Sequence, residues 1–390
     1  MAVIPERVSF RDTGASVALD AIRGLAALVV MFDHCHNLFF LDYGSALRGS
    51  SHPHLMYLLY AFGSAGREAV VVFFVLSGYL IGGSVFRSLE QGRWSWKDYL
   101  THRFVRLWLV LIPALVLCAC WDIGRLALGG AHGAGLLELA RAEGVTWKLF
   151  LSNVFFLQSV RTTTFGSDRV LWSLAAEFWY YMLFPLGLLA LRRGTRPGMR
   201  LAYAAGFLAI AFFVNRPLIG LFPVWLYGVA LARVRPPKAG AAMRWISVAV
   251  YAPCLFLFGM VPWPWHVFKM DYALGLLTAV FLWIVLSATE RVDQRTAVAR
   301  ASRGLAGASY SLYLVHYPFL AFVSVLLGDQ GRWTPSGWYL AAGAGLCAVA
   351  LLYSFGVAAC TEWHNDSVRR WVEERLSGRT RVREAAAAGL

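Results

Sequence analysis

Charge is what this chain has least of. Only 15% of its 390 residues are Asp, Glu, Lys or Arg, where a soluble protein carries roughly a quarter. Set against a hydrophobic share of 58%, that shortage excludes an ordinary soluble enzyme. No Gly-rich phosphate loop and no G-x-S-x-G occur, which removes a P-loop nucleotide site and a hydrolase-type nucleophile elbow. Asp33-His-Cys-His36 and His52-Pro-His54 are too sparse in ligands for a zinc site, so no metal is expected. The six cysteines (Cys35, Cys118, Cys120, Cys254, Cys347 and Cys360) sit in or at the ends of apolar stretches, without disulfide or metal spacing. They read as small buried hydrophobes. No internal repeat and no appended soluble module interrupt the chain, which leaves one domain.

What is abundant is long apolar sequence. Val70–Phe86, Leu107–Trp121, Tyr272–Ala288 and Gly337–Cys360 are each long enough to approach a bilayer crossing. Helices are expected at 19–41, 69–87, 104–121, 170–191, 201–215, 217–232, 245–263, 271–289, 304–328 and 337–360. The fold class is therefore an all-α polytopic membrane protein with about ten transmembrane helices and short interfacial or re-entrant segments. Sixteen Trp and sixteen Tyr suit helix ends anchored at lipid–water boundaries. With both termini cytoplasmic, the cytoplasmic segments hold 25 of the 36 Lys and Arg and the opposite side 10, Arg23 being the remainder. That bias follows the positive-inside rule and fixes the orientation, and the chain is expected in the cytoplasmic (inner) membrane. The net charge of +14 is thus an orientation signal with attraction to anionic lipid, not a nucleic-acid footprint.

Residues 1–18 form a polar cytoplasmic segment, 19–363 the membrane domain and 364–390 a basic tail that reads as a solvated end. Asp20, Arg23, Asp33 and His34 in the first span argue against a cleavable signal peptide, so that span is expected to stay. Two stretches are ambiguous. Residues 147–158 are too short to cross unaided, and 55–66 read either as a further segment or as an extension of the second span.

Four polar clusters interrupt the spans, and ionisable groups in hydrocarbon are costly enough to be functional candidates by default. Arg23 and His34 lie eleven residues apart, which returns a helix to nearly the same face roughly 16 Å further on. Asp33 flanks the histidine, which has the near-neutral pKa of a base for a substrate hydroxyl. The competing reading is a histidine satisfied by a backbone carbonyl. Arg103 and Arg106, at i and i+3, aim two guanidinium forks one way and suit phosphate oxygens. A plain positive-inside anchor is the alternative. Ser77-Gly78 permits close approach of a helix or a thin ligand, with no base beside Ser77 in sequence. Ser173 and Glu177 share a face of one later helix, and Ser309, Tyr313 and His316 share a stripe of another.

These pieces, in order, resemble the acyltransferase-3 family of integral-membrane acyltransferases. The resemblance runs from Leu19 to Pro318: LDAIRG followed by His34, FFVLSG at 73–78, Arg103-x-x-Arg106, LWSLAAE…YYMLFP at 171–185, and SYSLYLVHYP at 309–318. It implies transfer of an acyl group, most often acetyl from acetyl-CoA, to a hydroxyl of a cell-surface or exported saccharide or glycoconjugate. It also implies glycan-assembly proteins as partners. In that family the histidine matching His34 is essential, and the arginine matching Arg23 supports it. Asp33 and Glu177 are candidates to steady the imidazolium. Arg103 and Arg106, with Ser77 and Gly78 beside them, are the donor-binding candidates. Ser173, Tyr310, Tyr313 and His316 are candidates for the acceptor or the surrounding shell. Some positions depart from the pattern. Phe178-Trp179 stand where Glu-Gln is common, Leu109 stands for a frequent proline, and Glu362-Trp-His-Asn365 lacks the proline that commonly follows. No SGNH-type domain follows, so the stand-alone form is expected. The rival class is a multi-span transporter or flippase of a glycan or lipid-linked intermediate, which would move its ligand without acyl-CoA.

Overall fold

The computed structural model describes residues 10–48, 53–129, 140–142, 144–260, 267–327 and 332–387. In chain order the helices are α1 (Gly14–Phe39), α2 (Tyr43–Arg48), α3 (Pro53–Phe62), α4 (Gly66–Glu90), α5 (Trp96–Leu128), α6 (Trp147–Val154) and α7 (Leu171–Leu191). They continue with α8 (Pro197–Phe213), α9 (Arg216–Leu231), α10 (Ala241–Met260), α11 (Val267–Val285), α12 (Ala297–Leu326), α13 (Gly337–Cys360) and α14 (Asn365–Ala387). No strand occurs among the described residues, only isolated bridges such as Thr13 with Arg291. The ten expected spans fall on α1, α4, α5 and α7 to α13 in order. Among the described residues, seven helices are long and apolar enough to cross a membrane, while α8, α9 and the 270–285 part of α11 are shorter apolar helices. The protein is all-α and polytopic.

Local chemistry sets the ends. Thr13, Ser95, Thr296 and Ser336 each accept a backbone N–H at the start of a span, satisfying a donor the helix leaves open. Asn215 does the same for α9, and Pro217 in its first turn needs no donor. Because Thr13 caps α1, the helix starts at Gly14, and residues 14–18 belong to it rather than to a polar segment. α5 likewise runs on to Leu128, beyond the expected 121, with Asp122 buried and Arg125 3.7 Å from it. The stretch 55–66 does not extend the second span: α3 ends at Phe62 and residues 63–65 break the chain before α4. α6, with eight residues, covers only about 12 Å and crosses nothing. The expected burial of the cysteines is corrected as well. Only Cys35 and Cys118 are buried, and Cys120 and Cys360 are exposed, because thiols on the outer faces of spans meet lipid as readily as core.

Packing places α4 and α12 inside. About 61% of each one's apolar window is buried, against 6% for α10, which therefore lies at the rim. α1 packs along α12 and α4, and α5 along α12. The tightest crossing joins α4 to α9. A Cβ on Gly78 would lie 2.0 Å from the Trp225 carbonyl oxygen, and one on Gly228 would lie 1.9 Å from that of Val75. Small residues let backbones meet where hydrocarbon offers no hydrophobic drive between helices.

The 155–170 loop folds back beneath α7. Asn153 holds Thr163 and Phe165, and Ser167 N–H donates to Asp122 at 2.8 Å. Gly166, at φ +55°, passes so close that a Cβ would stand 2.2 Å from Asp122 Oδ2. In this loop Asp168 is fully buried, and burial, helped by neighbouring Asp122, holds its carboxyl well above the ordinary 3.8. The folded protein keeps a proton there that the unfolded chain releases above about pH 4, so this group subtracts stability as pH rises. Asp168→Asn is expected to unfold at the same or a higher temperature than wild type at pH 8, with the difference closing toward pH 4. Thermal melts across that range check it, and a variant melting lower at pH 8 contradicts a protonated Asp168.

Candidate active site

Two cationic helices and a polar spine enclose the main cavity, of about 470 Å3, between α1, α4, α5, α7, α12 and α14. Arg11, Arg23, Arg103, Arg106 and Arg369 line it, against Glu177 and Asp366. So strong a positive excess focuses on anionic ligands. Arg23 is fixed by donating to the Ala306 carbonyl oxygen at 2.8 Å and by Asp20 at 3.7 Å. Arg103 lies over the rings of Tyr99 and Tyr181, 5.5 and 5.7 Å from their centroids, which orients a guanidinium without neutralising it. Arg106 faces a smaller adjoining cavity of about 240 Å3, shared with Arg23, Tyr310 and Glu362. Glu362 accepts from both the backbone N–H and the hydroxyl of Ser311, at 3.0 and 3.1 Å, and so closes α12 onto the end of α13.

Further in, the lining turns apolar along Val70, Phe74, Leu76, Ile81 and Leu107, and then polar again. Ser77 and Tyr181 both donate to Glu177 Oε1, at 2.6 and 2.5 Å. Trp225 in turn donates to Ser77 Oγ at 3.2 Å. The carboxylate partner that Ser77 lacks in sequence thus arrives from α7, a hundred residues on. Glu177 pairs with hydroxyls and a cavity, not with an arginine or histidine. Ser173 and Tyr313 share a 2.6 Å hydrogen bond at the same end, and Tyr310 donates to the Leu107 carbonyl. Gly78 is not among the lining residues; its face is taken up by α9, so packing replaces the expected donor contact.

His34 is arranged differently from the expectation of one passage shared with Arg23. The stripe itself is real, since Arg23 bonds α12 at Ala306 and His34 bonds it at His316. Yet only Arg23 lines the main cavity. Tyr313 lines that cavity and packs against His316, with centroids 6.5 Å apart, so a ring's thickness separates the cavity from the imidazole pair. The pair is nearly coplanar, with planes within 13° and His34 Nδ1 2.8 Å from His316 Nε2. His316 Nδ1 lies 2.7 Å from the Leu312 carbonyl oxygen. A carbonyl only accepts, so His316 Nδ1 carries the proton, its Nε2 accepts, and His34 Nδ1 donates. In the neutral pair the lone pair therefore falls on His34 Nε2. Asp33 Oδ2 stands 3.9 Å from that atom. The side chain of His34 retains 22% exposure. A hydrogen-bonded relay ending on an unprotonated ring nitrogen is the arrangement of a proton acceptor.

Residues 16–355 match the family profile described as an acyltransferase domain. The chain belongs to the acyltransferase-3 family. Relatives of this family member include the peptidoglycan O-acetyltransferase OatA of Listeria monocytogenes, 23% identical over 304 residues, or 70% of this chain and 47% of OatA. The O-acetyl transferase of Shigella phage Sf6 is 27% identical over 219 residues, 54% of this chain and 58% of that one. Nodulation protein 10 of Rhizobium leguminosarum is 28% identical over 188 residues, 46% of each. The chain thus spans about half the length of the curated relatives it matches. No solved structure matches it.

Other cavity residues of this acyltransferase-3 chain had no local signal. Arg11 precedes the first span, His102 sits beside the Arg103 pair, and Asn365, Asp366 and Arg369 belong to the tail. The tail is not a plain solvated end, because α14 docks on α5 and Glu373 meets His102 at 2.9 Å. Its charge pattern reads as solvated until α5 is known to lie beneath it.

Proposed function

We propose that this family member is an O-acyltransferase of the cytoplasmic membrane, taking acetyl from acetyl-CoA and passing it to a saccharide hydroxyl. The carrying observation is the pairing of an arginine-lined cavity at one end of the α1 stripe with an unprotonated imidazole nitrogen at the other. Arg103, Arg106 and Arg23 would bind the donor's phosphates from the cytoplasmic side, as guanidinium forks suit them. The donor's acyl arm would pass the Ser77–Glu177–Tyr181 set, and the Tyr313 ring, which stands between that cavity and the imidazoles, would swing aside to let the thioester reach His34. His34 Nε2 would take the proton of the acceptor hydroxyl as its oxygen bonds the acyl carbon. The C–S bond then breaks and the imidazolium passes that proton to the departing thiolate, releasing CoA thiol and restoring neutral His34. Asp33 is the carboxylate placed to steady the imidazolium. The O-acetyltransferases among the relatives support this reading.

The test is release of CoA thiol by the purified chain in proteoliposomes, supplied with acetyl-CoA and surface-glycan acceptor. Arg103→Ala and Arg106→Ala are expected to raise KM for acetyl-CoA about 10- to 100-fold each, the worth of a lost charged hydrogen bond. Ligand translocation that proceeds without acetyl-CoA, and no thiol release, would place the chain with transporters instead.

A further inference from the structure

A separate cavity, of about 280 Å3, opens beside the α1 end that carries His34, away from the arginines of the main cavity. We propose that it seats one sugar ring of the acceptor. The purpose assigned to it rests on the acyl-transfer reading; its capacity to bind a saccharide does not.

The site is built rather than incidental. His36 is 5% exposed and borders the cavity with its ring, both nitrogens being closed off inside the protein next to the Asn37 side chain. Its ring lies parallel to Phe40 at 5.5 Å and against the edge of Tyr60 at 4.4 Å. Tyr43 stands edge-on to Tyr60 at 5.4 Å. These aromatic surfaces are matched with the amide of Asn37, a carboxylate at Asp42 and a guanidinium at Arg332.

The balance of that lining selects the ligand class. The main cavity carries a large positive excess, whereas this one holds a charge of each sign around rings and neutral polar groups. Flat apolar faces with donors and acceptors at their edges fit a neutral polyhydroxyl ring better than a phosphate. Its volume lies near the lower end of the roughly 300–1,000 Å3 of small-molecule sites, which suits one ring rather than a chain.

The cavity also lies close to the proposed base, although neither Asp33 nor His34 lines it. A Cβ on Gly63 would lie 2.6 Å from His36 Cγ, and one on Gly66 would lie 2.6 Å from Asp33 Oδ2. The short bend between α3 and α4 thus presses on both residues at once. Asn37, which lines the cavity, lies one turn beyond Asp33 and His34 on the same side of α1. A ring seated here presents its hydroxyls beside the Asp33–His34 pair.

The experiment uses the full chain in nanodiscs with methyl glycosides of glucose, galactose, mannose, rhamnose and N-acetylglucosamine. Saturation-transfer NMR reads binding, and thiol release reads transfer. At least one glycoside is expected to bind wild type. Asn37→Leu removes the lining amide, and Tyr43→Ala removes the rim aromatic; each is expected to weaken that binding at least tenfold. KM for acetyl-CoA should stay unchanged in both. The proposal falls if no glycoside binds wild type, or if both variants bind as wild type does. Loss of glycoside binding in the variants, with no thiol release from wild type, leaves the sugar site standing and removes the acyl-transfer reading. Thiol release with an unchanged glycoside KM in the variants does the reverse.

Discussion

Alanine at His34 is expected to reduce acetyl transfer about 10^2- to 10^4-fold, the usual worth of a positioned general base. The protein should remain folded, because the side chain is partly exposed and its loss leaves only His316 Nε2 without its donor. The partner histidine provides the sharper contrast. His316 does not face the unprotonated nitrogen; it sets the tautomer of His34 by accepting from Nδ1. His316→Ala should therefore lower kcat by a smaller factor, about 10-fold to 100-fold, and move the pH profile while sparing KM for acetyl-CoA. His316→Gln keeps an acceptor there and should recover part of the rate. Thiol release against pH in proteoliposomes checks all three variants. Full transfer by His34→Ala removes the base from the mechanism.

Gly78→Ala is expected to cost about 3 kcal/mol or more, at the upper end of overpacking penalties. One methyl group is a small change almost anywhere on a membrane helix. Here the new Cβ would meet the Trp225 carbonyl oxygen at 2.0 Å, with backbone on both sides and no flexible side chain to yield. α4 and α9 would have to separate. That movement also draws Trp225 away from Ser77, and with it one donor of the Ser77–Glu177–Tyr181 set. Gly228→Ala meets the Val75 carbonyl oxygen from the opposite side at 1.9 Å. The two variants should be less than additive together, since either one parts the same crossing. Melting of detergent-solubilised protein, followed by loss of the monodisperse gel-filtration peak, measures the effect. A wild-type midpoint in Gly78→Ala would contradict the close crossing.

The two variants mark different degrees of legibility. The spans were readable because lipid leaves no alternative. A backbone in hydrocarbon must bond to itself, so each crossing announces itself as a long apolar run. The candidates Arg23, His34, Glu177 and His316 stood out as ionisable exceptions within those runs. The helix starts at Thr13 and Ser95 were sequence features too, but capping moves a boundary by a few residues, and the apolar pattern does not record it. Gly78 illustrates a reading that stayed double. A mid-span glycine signals close approach, while the identity of what approaches belongs to another helix.

From residue order alone, then, came the class of molecule, its ten apolar helices and the short roster of polar side chains that lipid would not tolerate idly. Folding decided their company. It brought Glu177 to Ser77 across a hundred positions and His316 to His34 across 282. It carried the tail's Arg369 to the cationic cavity and set Tyr313 between that cavity and the imidazoles. The reason is physical. Whether a side chain may sit in hydrocarbon depends on its own chemistry and its immediate neighbours along one helix. Which partner satisfies it depends on how helices cross, and those crossings are set by packing between surfaces distant in sequence.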